Sequence, residues 1–175
     1  MWDSSLWESV DDRVRGGSSH SSLVPVSTTS NSARFCGFLD TTTLGGAGFA
    51  SQRCSQAKIW RDLTEFTGLD ISIAKADGKT YAINLKTGAF IKRPDGRVES
   101  SIEYKFLIET NPEVGKRTFY APFVDFKPYF RGRPVQDEKP LDLADITSIS
   151  IMCQSFFDAQ SGEFELDLLE ISSVI

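Results

Sequence analysis

An all-β, single-domain β-sandwich of jelly-roll type is the fold this sequence predicts, and three observations carry the expectation. Short apolar runs alternate in period two, glycine, proline and aspartate punctuate them, and no stretch sustains a helical stripe. Roughly seven to ten such strands, with no internal repeat, suit one sandwich better than a barrel of repeats. The domain is expected to span residues 1–175, with no second domain.

The opening segment Met1-Trp2-Asp3-Ser4-Ser5-Leu6-Trp7-Glu8 is acidic and aromatic, unlike the Arg-rich presequence of an imported organellar protein. Cytosolic residence or a processed chain is expected on that ground. Next comes Asp11-Asp12-Arg13-Val14-Arg15-Gly16-Gly17-Ser18-Ser19-His20. Two carboxylates, two guanidinium groups and two unrestricted backbone positions suit neither helix nor strand, so a sharply folded polar loop is expected. It reads either as an Asp–Arg tether fixing the N-terminal segment or as a ligand or partner site. Ser18 to Ser32 is rich in serine and threonine and broken by Pro25, but Leu23, Val24 and Val26 give it short edge-strand character.

Arg34-Phe35-Cys36-Gly37-Phe38-Leu39 begins the regular β pattern, and the glycines of Gly45-Gly46-Ala47-Gly48 mark a turn into a strand through Arg53. Leu69 to Ala74 and Thr80 to Lys86 alternate around Asp77-Gly78, the pattern of a hairpin. In the following strand Ile102, Tyr104, Phe106 and Ile108 face one way, and Glu103, Lys105 and Leu107 the other. Thr118 to Phe123 ends at a proline-containing corner. Ile149, Ile151 and Cys153 alternate with serine and methionine before Phe164, Leu166 and Leu168 repeat the pattern. Short helical turns are expected only at Leu141 to Ile146 and around Trp60 to Thr64, with Trp60 as a core anchor.

Composition bounds the function. Hydrophobic residues make up 40% and charged residues 25% of the chain. A domain of this length buries about 70% of its unfolded surface, so no staple is required. The net charge of −5 and pI near 4.9 argue against a general nucleic-acid or anionic-membrane binder. No run has the length of a membrane-spanning helix. Cys36, Cys54 and Cys153 are odd in number and widely spaced, which suits buried thiols better than a disulfide framework or zinc site.

Catalytic patterns fare poorly. The sole histidine, His20, sits in a serine-rich stretch and reads as a solvent-exposed loop residue. Asp11, Asp12, Asp77 and Glu163 are candidates for a glycosidase carboxylate pair, but Asp77 belongs to a turn and Glu163 follows a turn glycine. Gly45-Gly46-Ala47-Gly48 resembles a phosphate loop only in composition, because the Lys-Ser/Thr that should follow is missing. Asp11-Asp12 lacks the dense oxygen pattern of a calcium loop. The arginines of Phe130-Arg131-Gly132-Arg133 either neutralise Asp11 or Asp12 across the sandwich end or face a partner.

In order and spacing, several short motifs are similar to those of the complex I intermediate-associated protein 30 family. They are Asp12-Arg13-Val14-Arg15-Gly16-Gly17-Ser18, Phe35-Cys36-Gly37, Gly48-Phe49-Ala50-Ser51-Gln52-Arg53, Asp77-Gly78-Lys79-Thr80-Tyr81, Pro122-Phe123, Phe130-Arg131-Gly132-Arg133 and Gly162-Glu163-Phe164-Glu165-Leu166. Nearly the whole chain is covered, and Arg15 stands where the family usually has methionine. The resemblance implies a galactose-binding-like jelly roll and a non-catalytic role in assembling respiratory complex I or another multisubunit complex, with mitochondrial residence.

On these grounds the expected partner is a protein client or assembly intermediate, met by Asp12, Arg13, Arg15, Arg53, Arg131 and Arg133. Gly16, Gly17, Gly78 and Gly132 are expected to be architectural turn glycines. No catalytic residue, cofactor, metal or nucleic-acid partner is expected. The rival expectation is a carbohydrate-binding module using Trp2, Trp7, Tyr129 and the Asp12–Arg13 segment, and a third is a glycoside hydrolase.

Overall fold

The period-two alternation becomes two antiparallel sheets in a computed structural model of the protein, which describes residues 2–27, 31–55, 62–91, 93–95, 99–136 and 139–175. The chain runs through β1 (Trp7–Ser9), β2 (His20–Pro25), β3 (Ala33–Leu39), β4 (Phe49–Cys54), β5 (Gly68–Ala76) and β6 (Thr80–Thr87). It continues through β7 (Glu103–Glu109), β8 (Arg117–Pro122), β9 (Lys127–Phe130), β10 (Arg133–Pro134), β11 (Ile146–Gln154) and β12 (Gly162–Val174). The larger sheet has seven strands in the order β1-β4-β11-β6-β7-β9-β10, and the smaller has five in the order β2-β3-β12-β5-β8. Consecutive strands repeatedly change sheet, as in a jelly roll.

The apolar half of each alternation faces the gap between sheets. Phe35, Tyr81 and Phe164 form an aromatic cluster there, with ring centroids 5.0 to 6.3 Å apart. Ile71, Ile73, Ile83, Leu85, Ile149 and Ile151 are buried around it. Each such side chain contributes about 1.5–3 kcal/mol by leaving water. Cys54 and Cys153 belong to this layer, and burial pushes the Cys153 thiol up to about 12.

One expectation fails. Leu69–Ala74 and Thr80–Lys86 are strands, but they do not pair: β5 lies between β12 and β8, whereas β6 lies between β11 and β7. The Asp77-Gly78 turn is therefore an arch between sheets. Alternation fixes which residues face inward but not which neighbour supplies the hydrogen bonds. Here Asp77 holds the arch across the gap, accepting from Tyr81 Oη at 2.9 Å, Lys79 N at 3.0 Å and Glu165 N of β12 at 3.1 Å.

Other elements fall as expected. β2 is an edge strand ending at Pro25, and a 3₁₀ turn occupies Leu143–Asp145. Trp60 lies outside the described residues. The closing strand β12 pairs with β3 and β5, while the N-terminal segment reaches it through Trp2 Nε1, which donates to Leu169 O at 2.9 Å.

Candidate binding groove

The Asp11 to His20 segment divides by charge. Asp12 opens a 3₁₀ turn, Asp12–Arg15, which Gly16 closes in the left-handed region at φ 85°. The Asp12 carboxylate points inward and accepts from Ser19 N at 2.9 Å, Ser19 Oγ at 2.6 Å and Phe49 N at 3.2 Å. Asp11, equally buried, accepts from Ser21 Oγ at 2.7 Å, Ser51 N at 2.9 Å and Arg13 Nη2 at 3.0 Å. Together they bind the starts of β2 and β4 to the N-terminal turn. Gly17 is glycine because a Cβ there would overlap the Asp12 carboxylate.

The arginines turn outward. Arg15, Arg53, Arg131 and Arg133, supplied by the N-terminal turn, β4, the β9–β10 turn and β10, line one groove of about 880 Å³ on the open face of the seven-stranded sheet. Lys86, Arg93 and Lys105 add to them, against Glu8, Glu99 and Glu103. Among the described lining residues seven cations meet three carboxylates, in a chain whose total charge is −5. Glu8 is taken by Arg53 at 2.6 Å, and Glu103 lies 3.6 Å from Lys105. Among the described residues, Arg15, Arg131 and Arg133 have no carboxylate partner. The Arg15 guanidinium sits over the Phe49 ring at 5.6 Å and that of Arg131 over Phe130 at 5.3 Å. Such stacking orients the cation while leaving its edge N–H groups available.

The floor is a row of polar side chains crossing the sheet in register: Arg53 opposite Ser150, Ser150 opposite Asn84, and Asn84 opposite Lys105. Lys105 is buried, donates to Gln154 Oε1 and lies 4.8 Å from the Tyr129 ring centroid. Burial holds its ammonium below the usual lysine range, with Glu103 opposing. Asn84 donates to Ser150 Oγ at 3.2 Å, but its buried Oδ1 has no hydrogen-bond partner. Asn84 lies beneath the groove and not on its lining, so the polar floor open to a partner is Arg53, Ser150, Lys105 and Gln154.

Backbone strain gathers at the rim. Among the described residues the non-glycine positions with positive φ are Arg131 (50°), Phe156 (49°), Phe157 (57°) and Asp158 (72°). The first three line the groove and Asp158 adjoins it. The β11–β12 loop is fastened at both ends: Ser155 Oγ donates to Gly46 O at 2.8 Å, and Gln160 Nε2 to Thr80 O at 2.8 Å. Between these anchors Phe157 is 73% exposed. Left-handed backbone costs a bulky residue about 1–2 kcal/mol, which the anchors must hold in place.

The groove thus brings together four of the six residues expected to meet a partner. Arg13 stays outside it, exposed and paired with Asp11, and Asp12 belongs to the tether. Arg15, the departure from the family's usual methionine, is exposed on the groove wall. Trp2 and Trp7 do not join Tyr129 in a platform. Their rings pack together at 5.7 Å against the core, and β1 and β9 lie toward opposite ends of the sheet. Asp77 is spent on the arch, Glu163 is exposed at the start of β12, and His20 stacks on Phe38 at 6.2 Å on the other sheet. Sequence reasoning missed Lys105, Gln154 and Phe157 as groove residues. The signal was a polar half of the alternation in four strands, and it needed the strand order to become one surface.

These features define a jelly-roll β-sandwich with an open cationic groove on its larger sheet. Its fold is similar to that of the family 11 carbohydrate-binding module of the cellulosomal cellulase Lic26A-Cel5E of Clostridium thermocellum, with a TM-score of 0.60 at 19% identity over 94% of this chain and 87% of that one. The Clostridium thermocellum module in complex with a β-1,3-1,4-mixed-linked tetrasaccharide superposes with a TM-score of 0.59 at 20% identity, over 94% and 88% of the two chains. The family model for complex I intermediate-associated protein 30 matches residues 2–168, and the chain belongs to that family. An uncharacterised protein of Schizosaccharomyces pombe is 41% identical over 177 residues, covering 99% of this chain and 80% of the relative.

Proposed function

We propose that this protein is a non-catalytic assembly or scaffolding factor that holds a protein client in the groove of its seven-stranded sheet. The observation that carries this reading is the convergence of Arg15, Arg53, Arg131 and Arg133, from distant parts of the sequence, on one surface of an otherwise acidic chain. Membership of a family described by association with complex I intermediates supports a protein partner, with a respiratory-complex intermediate in the mitochondrion as the first client to test. Complementary charge orients encounter and selects partners, which suits transient assembly work. The test is quantitative co-purification from cells expressing the tagged protein, wild type against Arg131→Glu with Arg133→Glu. Both positions are exposed, so the fold should survive and the specific client should fall by about tenfold or more. Unchanged recovery of every partner would remove the groove from the account.

A second reading, carbohydrate binding, draws on the carbohydrate-binding modules that share the fold, one of them solved with a tetrasaccharide. Against it, the walls carry guanidinium groups without carboxylate partners, which a neutral sugar would leave uncompensated.

A further inference from the structure

We propose that the groove's occupant is an extended acidic segment of the client, with carboxylates on Arg15, Arg131 and Arg133 and an apolar side chain against Phe157. This rests on the protein-client reading and specifies the chemistry of its partner. The charge argument comes from pairing. Glu8 and Glu103 already serve Arg53 and Lys105, so among the described lining residues Arg15, Lys86, Arg93, Arg131 and Arg133 stand without an ion-pair partner against one remaining carboxylate, Glu99, and the positive excess includes Arg15, Arg131 and Arg133. Guanidinium edges bind carboxylates in a bidentate fork, and stacking on Phe49 and Phe130 holds two of the three ready for it.

The dimensions argue for an extended chain. The lining runs from Glu8 on β1 to Arg133 on β10, the two ends of the seven-stranded order. Six interstrand steps of about 4.8 Å make roughly 29 Å, the length of about eight or nine extended residues. Such a segment would cross the strands and keep its own backbone partly solvated at the open face, while the polar floor of Ser150, Lys105 and Gln154 lies beneath it.

The rim supplies the apolar anchor. Phe157 is exposed and fixed in a costly backbone conformation between Ser155 and Gln160, a placement that packing within the fold does not require. Aromatic side chains and arginine are enriched at the cores of protein interfaces, and here an exposed ring shares the groove with three arginines.

The experiment is selection of random displayed dodecapeptides on the full chain, followed by fluorescence anisotropy of the recovered peptides. Their sequences should be enriched in Asp and Glu around an aliphatic or aromatic residue, with affinity falling steeply as salt rises. Arg131→Glu with Arg133→Glu should weaken them at least about tenfold, and Phe157→Ala by roughly tenfold, with circular dichroism unchanged. Neutral or basic peptides, or binding that ignores these substitutions, would overturn the acidic-segment proposal while leaving a protein client standing. Failure to recover any groove-dependent peptide would also overturn it. If, in addition, a mixed-linked β-1,3-1,4-glucan tetrasaccharide titrates into the groove and the same substitutions abolish its binding, the protein-client reading falls too.

Discussion

Asp11 and Asp12 share one stretch of sequence with Arg15 but take the opposite role. The carboxylates turn into the sandwich, where backbone N–H groups and serine hydroxyls from β2 and β4 meet them. Arg15 turns out, meets only an aromatic face, and joins arginines from β4, β10 and the turn before β10. The first region is polar chemistry completed within the chain; the second is polar chemistry left open. Charge density alone therefore does not mark a binding site; charge gathered on one surface without partners in the chain is what the proposal rests on.

The widest separation between the two regions should appear in stability. Asp12→Ala strands the donors of Ser19 and Phe49, and should cost about 4 kcal/mol, or roughly 10 °C in melting temperature. Gly17→Ala, which overlaps the same carboxylate, should cost about 2 kcal/mol alone yet add little on top of Asp12→Ala. Urea titrations of the two single variants and the double variant measure this coupling. Additive losses would mean that the glycine serves some purpose other than admitting the carboxylate.

A smaller effect of opposite sign is expected at the rim. Phe157→Gly relieves the left-handed strain, and should stabilise the fold by about 0.5–1 kcal/mol after the entropy of the added glycine is counted. The same change should weaken client capture, because the anchor ring is gone. Thermal melts beside a binding assay would reveal that trade. A variant more stable and equally competent in binding would place Phe157 outside the site.

Much of the fold was legible because burial imposes period two on a sandwich strand, and the apolar residues expected to share a face in β7, β11 and β12 are buried in the core or packed against it. The partnership of strands was not legible. The hairpin expected at Asp77-Gly78 is an arch because β5 and β6 have better partners in different sheets, and no local pattern encodes that choice. The groove suffered the same limit: its arginines stood out in loop motifs, but Lys105 looked like an ordinary outward residue of its strand. Only the register Arg53–Ser150–Asn84–Lys105 sets it on one floor with Arg53 and Ser150. Phe157 was invisible for another reason, since its significance lies in its backbone conformation.

The central claim, that a client occupies the open face of the larger sheet, is tested most directly by photo-crosslinking. A benzophenone amino acid would be placed at Phe157 on the groove rim or at Phe38, which is exposed on the five-stranded sheet. Irradiation in cells should yield a client adduct from position 157 and none from position 38, and Arg131→Glu with Arg133→Glu should suppress it. Adducts from position 38 alone, or equally from both, would contradict the account.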